Sequence, residues 1–262
     1  MPIGQRGRRG VNATDLIAAL DLPPGVRVDR RVPKTLLVEH GASTAADKRH
    51  INDGIEELLW LAALKPTTIG VPEYRDEVRE YLEIAVLHLA LRAGANVKRL
   101  VELVHRAVPY PLILIAEQTG QISISAAHKR WAQNEMGKTV LDGEIVSANC
   151  DGVRDAEYLP TFFATLAIGR QTHASLYALY QSWVDVLLAL KAARVTGVYR
   201  LAADADHAAA RREALRECAR LDAEIARLRA AAAGEKQMPR QVELNMEVKR
   251  MEAALAAARE RL

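Results

Sequence analysis

Apolar residues recur along this chain in two rhythms, and the change from one to the other marks its elements. The clearest stretch is Val108–Arg130, which opens on Pro109-Tyr110-Pro111 and enters a continuous apolar run at Leu112–Ala116. A turn around Thr119–Gly120 leads into alternation at Ile122, Ser123, Ile124 and Ser125. A continuous run suits a strand buried on both faces, and alternation suits one buried on a single face. The pattern predicts a central strand, a tight turn and an antiparallel neighbour that ends in His128-Lys129-Arg130-Trp131.

Upstream, Asn12 or Thr14 caps a short helix carrying Leu16, Ile17 and Leu20, which stops before Pro23-Pro24-Gly25. Val26–Asp29 alternates as an edge strand, and Pro33 ends any ladder there. After Ser43 and Thr44, Ile51, Ile55, Leu58, Leu59 and Ala62 form an apolar stripe at helical spacing. That predicts one helix running to Leu64-Lys65, where Pro66 closes it. Thr67–Val71 then reads as a short strand.

Leu82–Leu91 fits a strand and Val97–Ala107 an amphipathic helix, so with the Leu112 strand they form a βαβ unit with a parallel pair. Lys138–Ser147 supplies a further strand. Arg154–Ile168 and Gln171–Val195 read as helices, the first restarted or kinked at Pro160. From Asp204 the composition shifts to Ala, Arg, Glu and Leu. Cys218, Leu221, Ile225, Leu228 and Ala232 form one heptad seam; Leu244, Val248, Met251, Leu255, Ala258 and Leu262 form another. Gly234 and Pro239 separate the two, which predicts an antiparallel hairpin.

The expected fold class is therefore α/β (α+β), a mixed sheet of five to six strands with flanking helices and a C-terminal coiled-coil hairpin. Its expected parts are a flexible Arg/Gly tail over 1–10, a core over 11–150, helices packing on it over 151–200, and the hairpin over 201–262.

Composition narrows the function classes. The chain has 262 residues, half of them hydrophobic, with a net charge of +3. That balance permits nucleic-acid contact without arguing for it. Cys150 and Cys218 lie far apart and form no CxxC pair, which points to a reducing cytoplasmic setting. No apolar run approaches the roughly 18 residues of a membrane span.

Candidate chemistry is sparse. The seven histidines form no HxH or HExxH, so no metal site is expected. Neither GxGxxG, GxxxxGK[ST] nor GxSxG occurs, so no cofactor is expected either. Asp142 and Glu144, two apart on a strand, could share a face with Glu83 and Lys129 near a sheet edge, as in metal-dependent nucleases. The acid-x-Lys element of restriction-type nucleases occurs only at Glu247-Val248-Lys249, on the hairpin. The alternative for Asp142-Gly143-Glu144 is a bulge with solvated acids. Arg30, Arg31, Lys34, His128, Lys129 and Arg130 would form a phosphate-contacting patch if their strands are close. Otherwise they pair with acids at strand ends. Leu221, Ile225, Leu228, Leu244, Val248, Met251 and Leu255 are the residues expected to bind a partner chain.

Four stretches taken in order resemble one family: Arg31-Val32-Pro33-Lys34; Ile55 with Leu59-Trp60 and Leu64-Lys65-Pro66-Thr67-Thr68-Ile69; Val108-Pro109-Tyr110-Pro111; and Gln237 with Val242-Glu243-Leu244-Asn245. The family is an uncharacterised bacterial domain of unknown function, and the resemblance runs from about residue 20 to the end. It implies a setting beside helicases and DNA methyltransferases in restriction-modification-like defence loci, and no catalytic residues. The leading expectation is an accessory subunit contacting a helicase or methyltransferase and DNA. A divergent metal-dependent nuclease is the alternative, and a homo-oligomeric structural protein the third.

Overall fold

The computed structural model describes residues 11–133 and 137–262. The expected Arg/Gly tail over 1–10 lies outside them. The chain divides into two compact units, Met1–Leu187 and Leu188–Leu262.

The first unit is built on a six-stranded mixed sheet of order β1-β2-β5-β6-β7-β8. Its strands are β1 (Arg27–Arg31), β2 (Ile55–Leu64), β5 (Ile84–Leu91), β6 (Leu112–Gln118), β7 (Gln121–Trp131) and β8 (Thr139–Cys150). β5 and β6 are parallel, joined through helix α5 (Val97–Ala107), and every other pair in this sheet is antiparallel. The expected central strand, turn and neighbour are β6, Thr119–Gly120 and β7. Thr119 and Gly120 both have positive φ, the geometry a two-residue hairpin turn requires. A separate two-stranded ribbon pairs β3 (Tyr74–Arg75) with β4 (Glu80–Tyr81).

Alternate residues of β5 and β6 point into one core. Leu87, Leu89, Leu91, Leu112, Leu114 and Ala116 pack there with Leu100, Val101, Leu103 and Val104 of α5 and Leu37 and Ile51 of the preceding helices. Those helices are α2 (Lys34–Gly41) and α3 (Ala45–Gly54). Near β6 also lie α1 (Ala13–Ala19), capped by Asn12 as expected, and then α6 (Leu159–Leu166) beside α1. The long α7 (Leu176–Thr196) ends at Gly197, which has a left-handed φ of 78°.

Several local expectations are overturned. The stripe from Ile51 to Ala62 is not one helix: α3 ends at Gly54 and β2 begins at Ile55. Leu, Ala and Glu favour helix there, but pairing on both sides with β1 and β5 satisfies the backbone and buries Ile55, Leu58, Leu61 and Leu64. Thr67–Val71 is not a strand; Pro66–Ile69 forms a one-turn helix, α4, with Pro66 in its first turn and Gly70 as a left-handed C-cap. Helix α2, unanticipated, starts directly after Pro33. α6 begins only at Leu159, with Pro160 in its first turn, where a missing N–H costs nothing. α7 likewise starts at Leu176 rather than Gln171.

The second unit contains α8 (Ala205–Gly234) and α9 (Met238–Arg259). Both expected seams meet in one core of Cys218, Leu221, Ile225, Leu228, Val248, Leu255 and Ala258, with Leu244, Met251 and Leu262 beside it. The ion pairs Arg229–Glu252 and Arg259–Asp222 connect late α8 to mid α9 and mid α8 to late α9, so the hairpin is antiparallel.

Candidate site at the open end of the sheet

A cleft of about 490 Å³ opens where the parallel strands β5 and β6 end, lined by Arg31, Glu56, Glu57, Ala90, Leu91, Glu117, Thr119 and Gly120. Carboxyl ends of parallel strands are where α/β sheets place ligands, because side chains there are free of the ladder's packing. Local structure explains its lining. Ile55 pairs with Leu91 and Glu57 with Ala90, so Glu56 is an extra residue in a β-bulge. A bulge breaks alternation and re-aims a side chain. Both consecutive glutamates consequently border the same cleft.

Glu57, Ala90 and Glu117 are register partners across β2, β5 and β6 and share one face. Ala90 is the small residue between two carboxylates. Arg31 Nε lies 3.5 Å from Glu57, and His88 Nε2 lies 3.4 Å from Glu117. His88 Nε2 is buried and makes no hydrogen bond among the described residues.

Cations crowd the same end. Lys34 Nζ donates to the carbonyls of Asn52 (3.1 Å) and Ile55, and Arg92 Nη1 donates to that of Asp53 (3.0 Å). Both side chains thereby satisfy carbonyls at the C-terminus of α3. Burial lowers the Lys34 pKa, and the charges of Arg92 and Arg31 lower it further. Arg31 and Arg92 are therefore within electrostatic reach of Lys34, and of the three only Arg31 lines the cleft.

The residues singled out from sequence are distributed differently. Arg30 and Arg31 are exposed on edge strand β1, whereas His128, Lys129 and Arg130 lie on β7, four strands across the sheet. At about 4.8 Å per strand that is roughly 19 Å, too far for one patch of adjacent groups. Lys129 is 1% exposed, and its ammonium donates to the carbonyls of His105 and Val108 (2.8 Å) at the end of α5. It is a buried cap on a helix C-terminus, where a cation is favoured. Desolvation still depresses its pKa to about 8. His128 is held between the Tyr81 hydroxyl at Nδ1 and Gln181 Oε1 at Nε2 (2.9 Å).

The proposed nuclease acids are also engaged elsewhere. Glu83 precedes β5 and pairs with Lys65 at 3.1 Å. Asp142 pairs with Arg79 at 2.7 Å. Asp142 opposes His128 and Val146 opposes Ala126, so Gly143 and Glu144 fall in a bulge with Gly143 at φ 85°. The two acids are therefore not simple alternation partners. Among the described residues no three His, Cys, Asp or Glu side chains gather closely enough to hold a metal by themselves. A Ser-His pair does exist: His105 Nε2 and Ser125 Oγ share a hydrogen bond at 2.9 Å. At 0% and 1% exposure neither residue can meet a substrate.

Of the seven expected partner-binding residues, Leu221, Ile225, Leu228, Val248 and Leu255 are buried in the hairpin's own core, and Leu244 and Met251 pack half-buried against it. What α9 does expose is Met238, Val242 and Met246, one turn apart and away from that seam.

Glu56, Glu57, Glu117, His88 and Arg92 were not flagged by sequence. Their signal was present: two glutamates opening an apolar decapeptide, and a glutamate closing the run Leu112–Ala116. It was hidden because the decapeptide reads as helix.

No helix among the described residues is long and apolar enough to cross a membrane. A family model described as a domain of unknown function, DUF4391, matches residues 20–255. No curated protein and no solved structure matches.

Proposed function

The chain belongs to the DUF4391 family, and from that premise we propose that it is an accessory, non-catalytic subunit of a bacterial antiviral, restriction-modification-like complex. In this reading it engages a helicase or DNA methyltransferase partner, in the cytoplasm, and contacts DNA. The partner classes come from the resemblance. The observation that carries the reading is the hairpin: its two heptad seams close on each other, yet α9 keeps Met238, Val242 and Met246 more than half exposed. Three large apolar groups one turn apart form the ridge by which a helix packs on another protein.

The test is co-purification of the full chain with a helicase and with a DNA methyltransferase from its own genome. Val242→Glu with Met246→Glu should abolish association while leaving the circular dichroism spectrum unchanged, since both positions are exposed. Undiminished association of that variant, or none by the unsubstituted chain with either enzyme, overturns the proposal.

A further inference from the structure

We infer that in the free protein a second copy of the chain covers the ridge of α9, the two α9 helices lying antiparallel about a twofold axis at Val242. The inference rests on the reading of that ridge as a contact surface and adds what closes it when no other protein is bound.

The ridge is its own complement. Met238 and Met246 stand four residues to either side of Val242, and all three side chains are more than half exposed. Along the helix axis each methionine is about 6 Å from the valine. Reversing one helix about Val242 therefore lays Met238 of each copy against Met246 of the other and sets the two valines face to face.

Charge fixes the direction. Lys249 follows Val242 by seven residues, and Glu235 precedes it by seven. Antiparallel pairing brings each Lys249 to the Glu235 of the other copy. Glu235 lies in the turn before α9, where its Oε1 accepts from the N–H groups of Lys236 and Gln237 and leaves Oε2 without a hydrogen bond among the described residues. Lys249 is exposed and makes no ion pair among the described residues. No like charges are opposed in this arrangement: Arg250 falls against Gly234, Glu243 against Gln241 and Glu247 against Gln237. Parallel pairing in register would instead set Lys249, Arg250, Glu243 and Glu247 each on its own counterpart, and facing like charges are costly.

Size sets the strength. Three large side chains from each copy make an interface below the roughly 1,200 Å² of standard complexes, which is the range of transient pairs. A twofold contact uses the same surface on both copies, so assembly stops at two. Such a pair removes exposed apolar surface from water and still leaves the ridge available to a tighter-binding partner.

Sedimentation equilibrium of the full chain alone, from about 1 to about 500 µM, spans the affinities expected of a transient pair. The mass should rise from one copy to two and no further. Val242→Glu should remain a single copy throughout. Lys249→Glu should weaken pairing about tenfold, because two equivalent ion pairs become repulsions. Adding Glu235→Lys to that variant should restore pairing, which a general loss of structure would not allow. A single copy at every concentration, a Val242→Glu chain that still pairs, or a charge exchange that restores nothing overturns the inference. These masses are measured without helicase or methyltransferase. Pairing that fails while an enzyme co-purifies strikes this inference alone, and pairing that holds while neither enzyme co-purifies strikes the accessory-subunit reading alone.

Discussion

Lys129 is charged and buried, and that has a measurable consequence for stability against pH. In the unfolded chain a lysine titrates near 10.5, and in the fold desolvation brings Lys129 to about 8. Below pH 8 both states carry the proton, and the penalty for burying the cation is present in full. Between pH 8 and 10.5 the folded state has released the proton and the unfolded state has not. The unfolded state then binds more protons, so stability rises with pH. At about 1.4 kcal/mol per pH unit the full gain is about 3 kcal/mol, of which about 2 is reached by pH 9.5.

Two neighbours act in the opposite sense at higher pH. Burial raises the pKa of both Tyr81 and Tyr180, so above about pH 10 the unfolded state loses phenolic protons that the fold keeps, and stability falls. The useful window is therefore pH 7.5 to 9.5. Within it, Lys129→Met removes the titrating group and keeps a long apolar stem beneath the end of α5. All three tryptophans, Trp60, Trp131 and Trp183, belong to the 1–187 unit, so urea unfolding followed by their fluorescence reports that unit alone. The stability of the original chain minus that of Lys129→Met should climb by about 2 kcal/mol across the window, roughly a 1 M shift in the urea midpoint. A flat difference would refute the placement of the ammonium inside the fold.

Other outcomes follow from the same packing. Burial holds His105 near a pKa of about 3, below the ordinary 6.5, so it is neutral in the fold and stability should fall as pH drops from 6.5 towards 3; His105→Gln should flatten that acid limb in urea titrations. A Cβ on Gly41 would stand 2.9 Å from the Leu103 carbonyl and 3.0 Å from Ala107 Cβ, so Gly41→Ala should cost about 1–3 kcal/mol in the same assay by forcing α2 from α5. Ile225→Ala, inside the hairpin core, should cost about 2–5 kcal/mol, seen as earlier loss of helical circular dichroism on heating.

The sheet was legible wherever one signal spoke alone. Leu112–Ala116 is apolar, flanked by prolines and a Thr-Gly turn, and too short for a buried helix, so it read as the strand it is. Val97–Ala107 carries both a cap and a period, and its observed bounds are those predicted. Ile55–Leu64 failed because its helical spacing and helix-forming composition agree with each other and disagree with the fold. The deciding interactions are ladder bonds to β1 and β5, residues about 30 positions away on either side, which no local window contains. That single misreading carried the site with it, since Glu56 and Glu57 border one cleft only through a bulge, and a bulge is defined by its partner strand.

Lys129 shows the converse error. Strand-end lysines usually reach solvent, but this one follows Ala127 and His128 into a strand buried along most of its length. Its sequence neighbours His128 and Arg130 cannot reveal that the end of α5, with carbonyls lacking donors, lies within its reach. Sequence thus singled out Lys129, Glu83 and Arg31, misjudged which of them the fold consumes, and passed over Glu57 and Glu117. The ones it spends, Lys129 and Glu83, are buried beside partners; the ones it leaves at the surface, Arg31, Glu57 and Glu117, meet at the one place where parallel strands end together. Charge that persists against burial where the ladder stops is therefore what sets the cleft, rather than the basic end of β7, apart as the candidate site of the sheet.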